Sequence, residues 1–176
     1  MDESAESRKR RLQLLVRRNR GQTDFRTYFD ELEHLLGSEI ADPDKVDLET
    51  TDRLFAAYKQ LLQESADRPQ RRFQKTWAYE PSALWFSECV RVGATLHGLG
   101  GVLFVGPYEY CGAINAAPER VLQAARPLLD FDGDSIGVVA LDGASGLYLD
   151  KFEEHSEWLV ELVVCGDWAG LIMPAV

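Results

Sequence analysis

Cysteine is scarce in this sequence: Cys89, Cys111 and Cys165 are the only three, and no C-x-x-C occurs. An odd, widely spaced set argues against a disulfide scaffold or a zinc ribbon and fits reduced thiols in the cytoplasm. Histidine is equally sparse (His34, His97, His155), and no Cys–His interval has metal-finger spacing. Long hydrophobic runs are missing too. The longest uncharged stretch, Val92 to Tyr108, has 17 residues, five of them glycine, too short and too loosely apolar to span a membrane. The opening MDESAESRKRR has no apolar segment behind its basic residues, so no secretory leader is expected.

Positive charge is nearly absent from the second half. Residues 1–75 carry 15 basic and 15 acidic residues, whereas residues 76–176 carry four basic (Arg91, Arg120, Arg126, Lys151) against 14 acidic. The net charge of −10 therefore lies wholly in the C-terminal region. Such a body repels phosphate backbones, because nucleic-acid affinity comes chiefly from Lys and Arg neutralising phosphates. It instead attracts basic partners and speeds encounter with them. Solubility alone is the plainer explanation of the same charge.

What is present is an ordinary globular composition: 176 residues, 45% hydrophobic and 27% charged, enough for one domain with its own core. Residues 1–75 read as a helical region, a basic arm followed by an αα-hairpin. The arm packs Arg8, Lys9, Arg10, Arg11, Arg17, Arg18 and Arg20 around Leu12, Leu14, Leu15 and Val16. It reads either as a nucleic-acid or acidic-surface binder or as a solvated helix lying against the acidic remainder. Phe25, Tyr28, Phe29, Leu32, Leu35 and Leu36 have helical spacing, with Thr23 or Asp24 as N-cap and Gly37 as stop. Leu54, Phe55, Tyr58, Leu61 and Leu62 repeat the pattern behind Thr50 or Thr51. The polar stretch Ser65 to Gln74 marks a boundary.

Residues 76–176 read as an acidic α+β region that folds as one unit with the first. Residues 84–96 fit both a strand and a helix face, and periodicity leaves the choice open. Val102 to Val105 predicts a short strand, Pro107 to Ile114 a second, irregular one, and Ala117 to Leu129 a helix that ends or kinks near Arg126 because of Pro127. Ile136–Leu141, Gly146–Phe152 and Trp158–Cys165 form three strands joined by Asp142-Gly143 and by Glu153 to Ser156, an antiparallel meander. The fold class is α+β, with N-terminal helices packed on an antiparallel sheet formed mainly by the C-terminal half.

Several constellations invite chemistry. Asp130-Phe131-Asp132-Gly133-Asp134 resembles the Asp-x-Asp-Gly-Thr signature of haloacid-dehalogenase-type phosphatases, in which one Asp attacks phosphorus and the next handles the proton beside a metal ion. Asp134 replaces the Thr, and only 42 residues follow. A metal-dependent hydrolase on Asp130, Asp132 and Asp134 is thus the alternative to an exposed acidic turn. Gly98, Gly100 and Gly101 lack the Lys-Ser/Thr that a phosphate loop needs, so they read as a turn. No catalytic residue and no cofactor is assigned.

The C-terminal meander concentrates Asp142, Asp150, Glu153, Glu154, Glu157, Glu161 and Asp167 beside Tyr148, Trp158 and Trp168. Aromatic anchors ringed by carboxylates suit recognition of a basic protein, and Asp142, Asp150, Glu153, Glu154, Glu157, Trp158 and Asp167 are the candidate contact residues. The run from Ser145 to Glu154, continuing from Trp158 to Trp168, resembles the C-terminal hairpin of small bacterial toxin-immunity proteins, some of the SUKH superfamily. The resemblance covers about 25 of the 176 residues. It implies a cytoplasmic, non-enzymatic inhibitor that caps a basic toxin domain.

Overall fold

The computed structural model describes residues 5–79 and 84–173. Seven α-helices are described: α1 (Ala5–Leu36), α2 (Leu48–Ala66), α3 (Leu84–Thr95), α4 (Tyr108–Cys111), α5 (Pro118–Gln123), α6 (Ala125–Asp132) and α7 (Asp167–Ile172). The six strands are β1 (Arg72–Ala78), β2 (Gly101–Phe104), β3 (Ile114–Ala116), β4 (Ser135–Val139), β5 (Gly146–Glu154) and β6 (Glu157–Cys165). They pair antiparallel throughout in the order β1-β6-β5-β4-β2-β3. The fold is α+β, as composition and patterning predict, and five of the strands lie beyond residue 100.

Alternation along the strands sends side chains to two separate cores. Leu103, Ile136, Val138, Leu147, Leu149, Val160, Leu162 and Val164 face one side, under α3, α5, α6 and the C-terminal half of α1. Val102, Phe104 and Val139 face the other, under α2. The predicted αα-hairpin does not form, because α1 and α2 bury their apolar stripes against opposite faces. Tyr28, Phe29 and Leu32 of α1 belong to the first core, and the Tyr28 hydroxyl donates to the Val105 carbonyl at 3.0 Å. Leu54 and Tyr58 of α2 belong to the second.

The arm and the first aromatic helix are one 32-residue helix, about 48 Å long. No break is needed at Thr23 or Asp24, since residues 7–20 are good helix formers. The helix stops at Gly37, where the Ser38 N–H donates to the Glu33 carbonyl at 3.2 Å. In α2 the N-cap is Asp47, not Thr50 or Thr51: its Oδ1 accepts from the N–H groups of Glu49 and Thr50 at 3.0 and 2.9 Å. Thr51 is buried and accepts instead from the Ala113 N–H at 3.1 Å.

Residues 84–95 are helical: Trp85, Cys89 and Val92 lie on one buried face, continued by Leu96. The expected strand from Pro107 is α4 followed by the three-residue β3. The break before α6 falls at Ala124 and leaves Pro127 in the first turn, where a missing N–H costs nothing. Asp130 and Asp132 sit in the last turn of α6 rather than in a free turn. Strand β1 runs across the boundary at residue 75 and takes in the last three residues, Arg72 to Gln74, of the stretch read as a boundary. Its alternation is obscured because Lys75 occupies a helix-side position, reaching over the Trp77 ring at 5.2 Å and to Glu88 at 3.5 Å.

Candidate binding surface

The candidate contact residues divide among three places. Asp142 lies in the β4–β5 turn, where it accepts from the Ala144 N–H at 2.9 Å. Asp167 opens α7 and pairs with Arg71 at 2.9 Å. Both sit at one end of β5 and β6, whereas Glu153, Glu154, Glu157 and Trp158 sit at the hairpin tip. The nine-residue strands between hold the two ends roughly 27 Å apart. Asp142 and Asp167 therefore stabilise local structure at a distance from the tip.

The tip itself is a two-residue turn, since Glu154 pairs directly with Glu157. His155 and Ser156 take φ of 50° and 68°, the left-handed conformation that a tight hairpin of matching twist requires. No Asn-Gly or Asp-Gly marks it in the sequence, which is why the turn read as four residues. Correct register splits the tip acids across the sheet. Glu153 and Trp158 face the helix side, where Trp158 is 48% exposed and Lys151 lies 5.4 Å from its ring. Trp168, by contrast, is buried in the first core.

On the opposite face the strands carry an ordered pattern. Asp150 stands opposite Glu161, Phe152 opposite Leu159, and Glu154 opposite Glu157. An apolar row thus lies between two directly opposed pairs of acids, all six side chains pointing the same way. Helix α2 covers only the far end of this face. There the Tyr58 ring lies over Gly137 and Gly146, whose Cβ atoms would meet it at 2.8 and 3.3 Å, and its hydroxyl donates to the Leu147 carbonyl at 2.8 Å. Phe152 and Leu159 belong to neither core and remain partly exposed.

Polar neighbours orient the inner acid pair. Gln74 and Thr76 of β1 donate to Glu161 Oε1 at 2.7 and 3.1 Å. The Tyr148 hydroxyl bonds Asp150 and Ser135. Burial pushes the Asp150 carboxyl above its usual range, and nearby Glu161 and Asp134 add to the rise, with the Tyr148 bond opposing it. Burial, with Asp150 beside it, pushes Tyr148 up to about 12. Sequence reasoning missed Phe152 and Leu159. The signal that finds them is strand parity once the turn is fixed at His155-Ser156.

The other chemical readings find less support. Cys89, Cys111 and Cys165 are all buried, and burial pushes the Cys89 thiol up to about 12 and Cys165 to about 11, away from the thiolate a nucleophile needs. Asp130 accepts from the Tyr79 hydroxyl at 2.9 Å, and Asp134 is exposed. The Asp132 side chain lies outside the described residues, so the Asp130/Asp132/Asp134 reading falls partly outside them. Among the described residues, no three His, Cys, Asp or Glu side chains converge as a metal site requires, and no helix is long and apolar enough to cross a membrane.

Arg17 and Gly21 tie the basic arm to the rest of the molecule. Arg17 donates to Asp52 Oδ2 and Oδ1 at 2.6 and 2.9 Å and to the Glu109 carbonyl at 2.7 Å. Gly21 is buried where α1 crosses α4, with an added Cβ only 2.3 Å from the Tyr110 carbonyl oxygen. Before that crossing, Leu12, Leu15 and Val16 are 63%, 49% and 49% exposed. Comparison with known proteins adds no identity: no family model, no curated protein and no solved structure matches this chain.

Proposed function

We propose that this protein is a non-enzymatic, cytoplasmic binding module whose acidic C-terminal sheet face takes a basic protein, as an immunity-type inhibitor takes a toxin domain. One observation carries the reading: the partly exposed Phe152/Leu159 row lies between Asp150/Glu161 and Glu154/Glu157. Like charges directly opposite one another in a sheet are destabilising, so such an arrangement serves the fold poorly. It serves a ligand that brings apolar side chains to the row and cations to both flanks. The acids then steer encounter and the row supplies desolvated contact.

The test uses the full chain and a synthetic surrogate: a 14-residue helical peptide, unrelated to this sequence, with Leu at i, i+3 and i+4 flanked by Arg. Calorimetry at 50 mM salt should show saturable one-to-one binding that weakens at least tenfold at 300 mM, since exposed charges are screened over that range. Glu154→Lys combined with Glu157→Lys should abolish it, as should adding Glu153→Lys. Affinity unchanged by the reversals would place the surface elsewhere. No binding to the wild type would remove the reading.

A further inference from the structure

The chain itself carries a helix with the chemistry this face would accept. Along the first half of α1, Leu12, Leu15 and Val16 stand at i, i+3 and i+4, and all three are exposed at the edges of two grooves that α1 makes with residues 45–52. At 100° per residue, Arg11 and Arg18 flank that stripe on one side and Lys9 and Arg20 on the other, with Arg8 and Asn19 in line with it at its two ends. All four cations are exposed, and no acidic residue lies between positions 8 and 20. Arg17, which points the other way, anchors the arm to Asp52 and Glu109. Apolar side chains outward and anchor inward is the reverse of what a solvated helix needs.

The dimensions agree. A helix with its side chains is about 10–12 Å across. Residues 150 and 154, which carry the two acid pairs, are four positions apart on β5, roughly 13.6 Å. A helix laid across the strands would set its leucines on Phe152 and Leu159. Its two cationic flanks would then face Asp150/Glu161 and Glu154/Glu157. The arm of the same molecule is held at Asp52, at the start of α2.

We infer that the exposed Leu12/Leu15/Val16 face of α1 docks, in trans, on the acidic sheet face of a second copy of this chain. The inference rests on the reading of that face as a binding surface for basic partners. The contact is heterologous, arm to face, so copies join head to tail. It is small compared with permanent interfaces, so association is weak and concentration-dependent. A foreign basic partner on the same face would displace it, and assembly and partner binding therefore exclude one another.

Sedimentation velocity on the full chain at 150 mM salt tests this with two charge-swapped proteins. One carries Arg11→Glu and Arg18→Glu, leaving the Arg17 anchor intact; the other carries Glu154→Lys and Glu157→Lys. Wild type should gain weight-average mass with concentration between about 10 µM and 1 mM. Each variant alone, with one flank of the contact now set like charge against like, should gain far less mass over the same range. An equimolar mixture should associate again, because the reversed flank of one variant's arm can now meet the reversed acid pair on the other's face. A wild type monomeric throughout, variants that associate as the wild type does, or a mixture that stays monomeric would each overturn the inference. If the wild type is monomeric but binds the surrogate peptide, the trans contact alone fails. If it does neither, the reading of the face fails with it.

Discussion

Gly137 and Gly146 lie under the Tyr58 ring at one end of a sheet face whose other end carries Asp150 opposite Glu161 and Glu154 opposite Glu157. The same strands build both ends. At the covered end, two residues without side chains make room for one large aromatic, which closes the face and satisfies its hydroxyl on Leu147. At the open end, both acid pairs set like charge against like across β5 and β6. Substitutions at the first end should therefore cost stability. At the second they should add stability and cost binding.

The largest effect is expected at the covered end. Tyr58→Ala removes a ring that is 3% exposed and leaves a cavity over two glycines that cannot fill it. Truncating a buried aromatic costs about 3–5 kcal/mol, readable by urea unfolding. A loss below about 1 kcal/mol would mean that α2 does not close this face.

A smaller version of the contrast runs along α1. Gly21→Ala in an exposed helix would stabilise by about 1 kcal/mol. Here the added Cβ meets the Tyr110 carbonyl, and overpacking of this kind costs about 1–3 kcal/mol. The sign of the change in thermal denaturation thus reports whether the crossing is as close as the 2.3 Å approach implies. Asn19→Ala, two residues earlier and exposed, should gain a few tenths of a kcal/mol in the same assay.

At the open end, Glu154→Lys turns a like-charge pair into an opposite one. Stability should rise by about 0.2–1 kcal/mol, while affinity for the basic surrogate peptide falls. Stability and binding moving in opposite directions is the signature of a face shaped for a ligand. Both falling together would make Glu154 a structural residue.

The two ends were unequally legible in the sequence. The meander was readable because β4, β5 and β6 alternate strongly and turn at Asp142-Gly143. Its exact register was not, because His155 and Ser156 reach positive φ without glycine or asparagine, and one residue of slip moves every side chain to the other face. The acids were visible from composition, but which of them share a face depends on that register. Strand β1 hid behind Lys75 on its inward side. The continuity of α1 was hidden because its first half turns apolar residues outward, so no single stripe runs its length. Helix α7 is short, and its one strong signal, Trp168, could not be told from an exposed tryptophan until Trp158 was found outside and Trp168 within.

The smallest effect gives the finest test of the open end. In the folded protein the Asp150 carboxyl is raised by burial, then by Glu161 and Asp134, so the native state holds that proton more tightly than the unfolded chain does. Ionising Asp150 therefore costs stability, and the cost is present at neutral pH and vanishes as pH falls through the raised value toward the unfolded one near 4. Asp150→Asn keeps an oxygen to accept from Tyr148 and removes the charge. It should be more stable than the wild type at pH 7 by about 0.2–1 kcal/mol, the range for an opposed like-charge pair on a partly solvated sheet. Below about pH 4 the two proteins should denature alike. A less stable Asp150→Asn protein at pH 7 would mean that the carboxylate is compensated in the fold, and the charge on this face would no longer call for a partner.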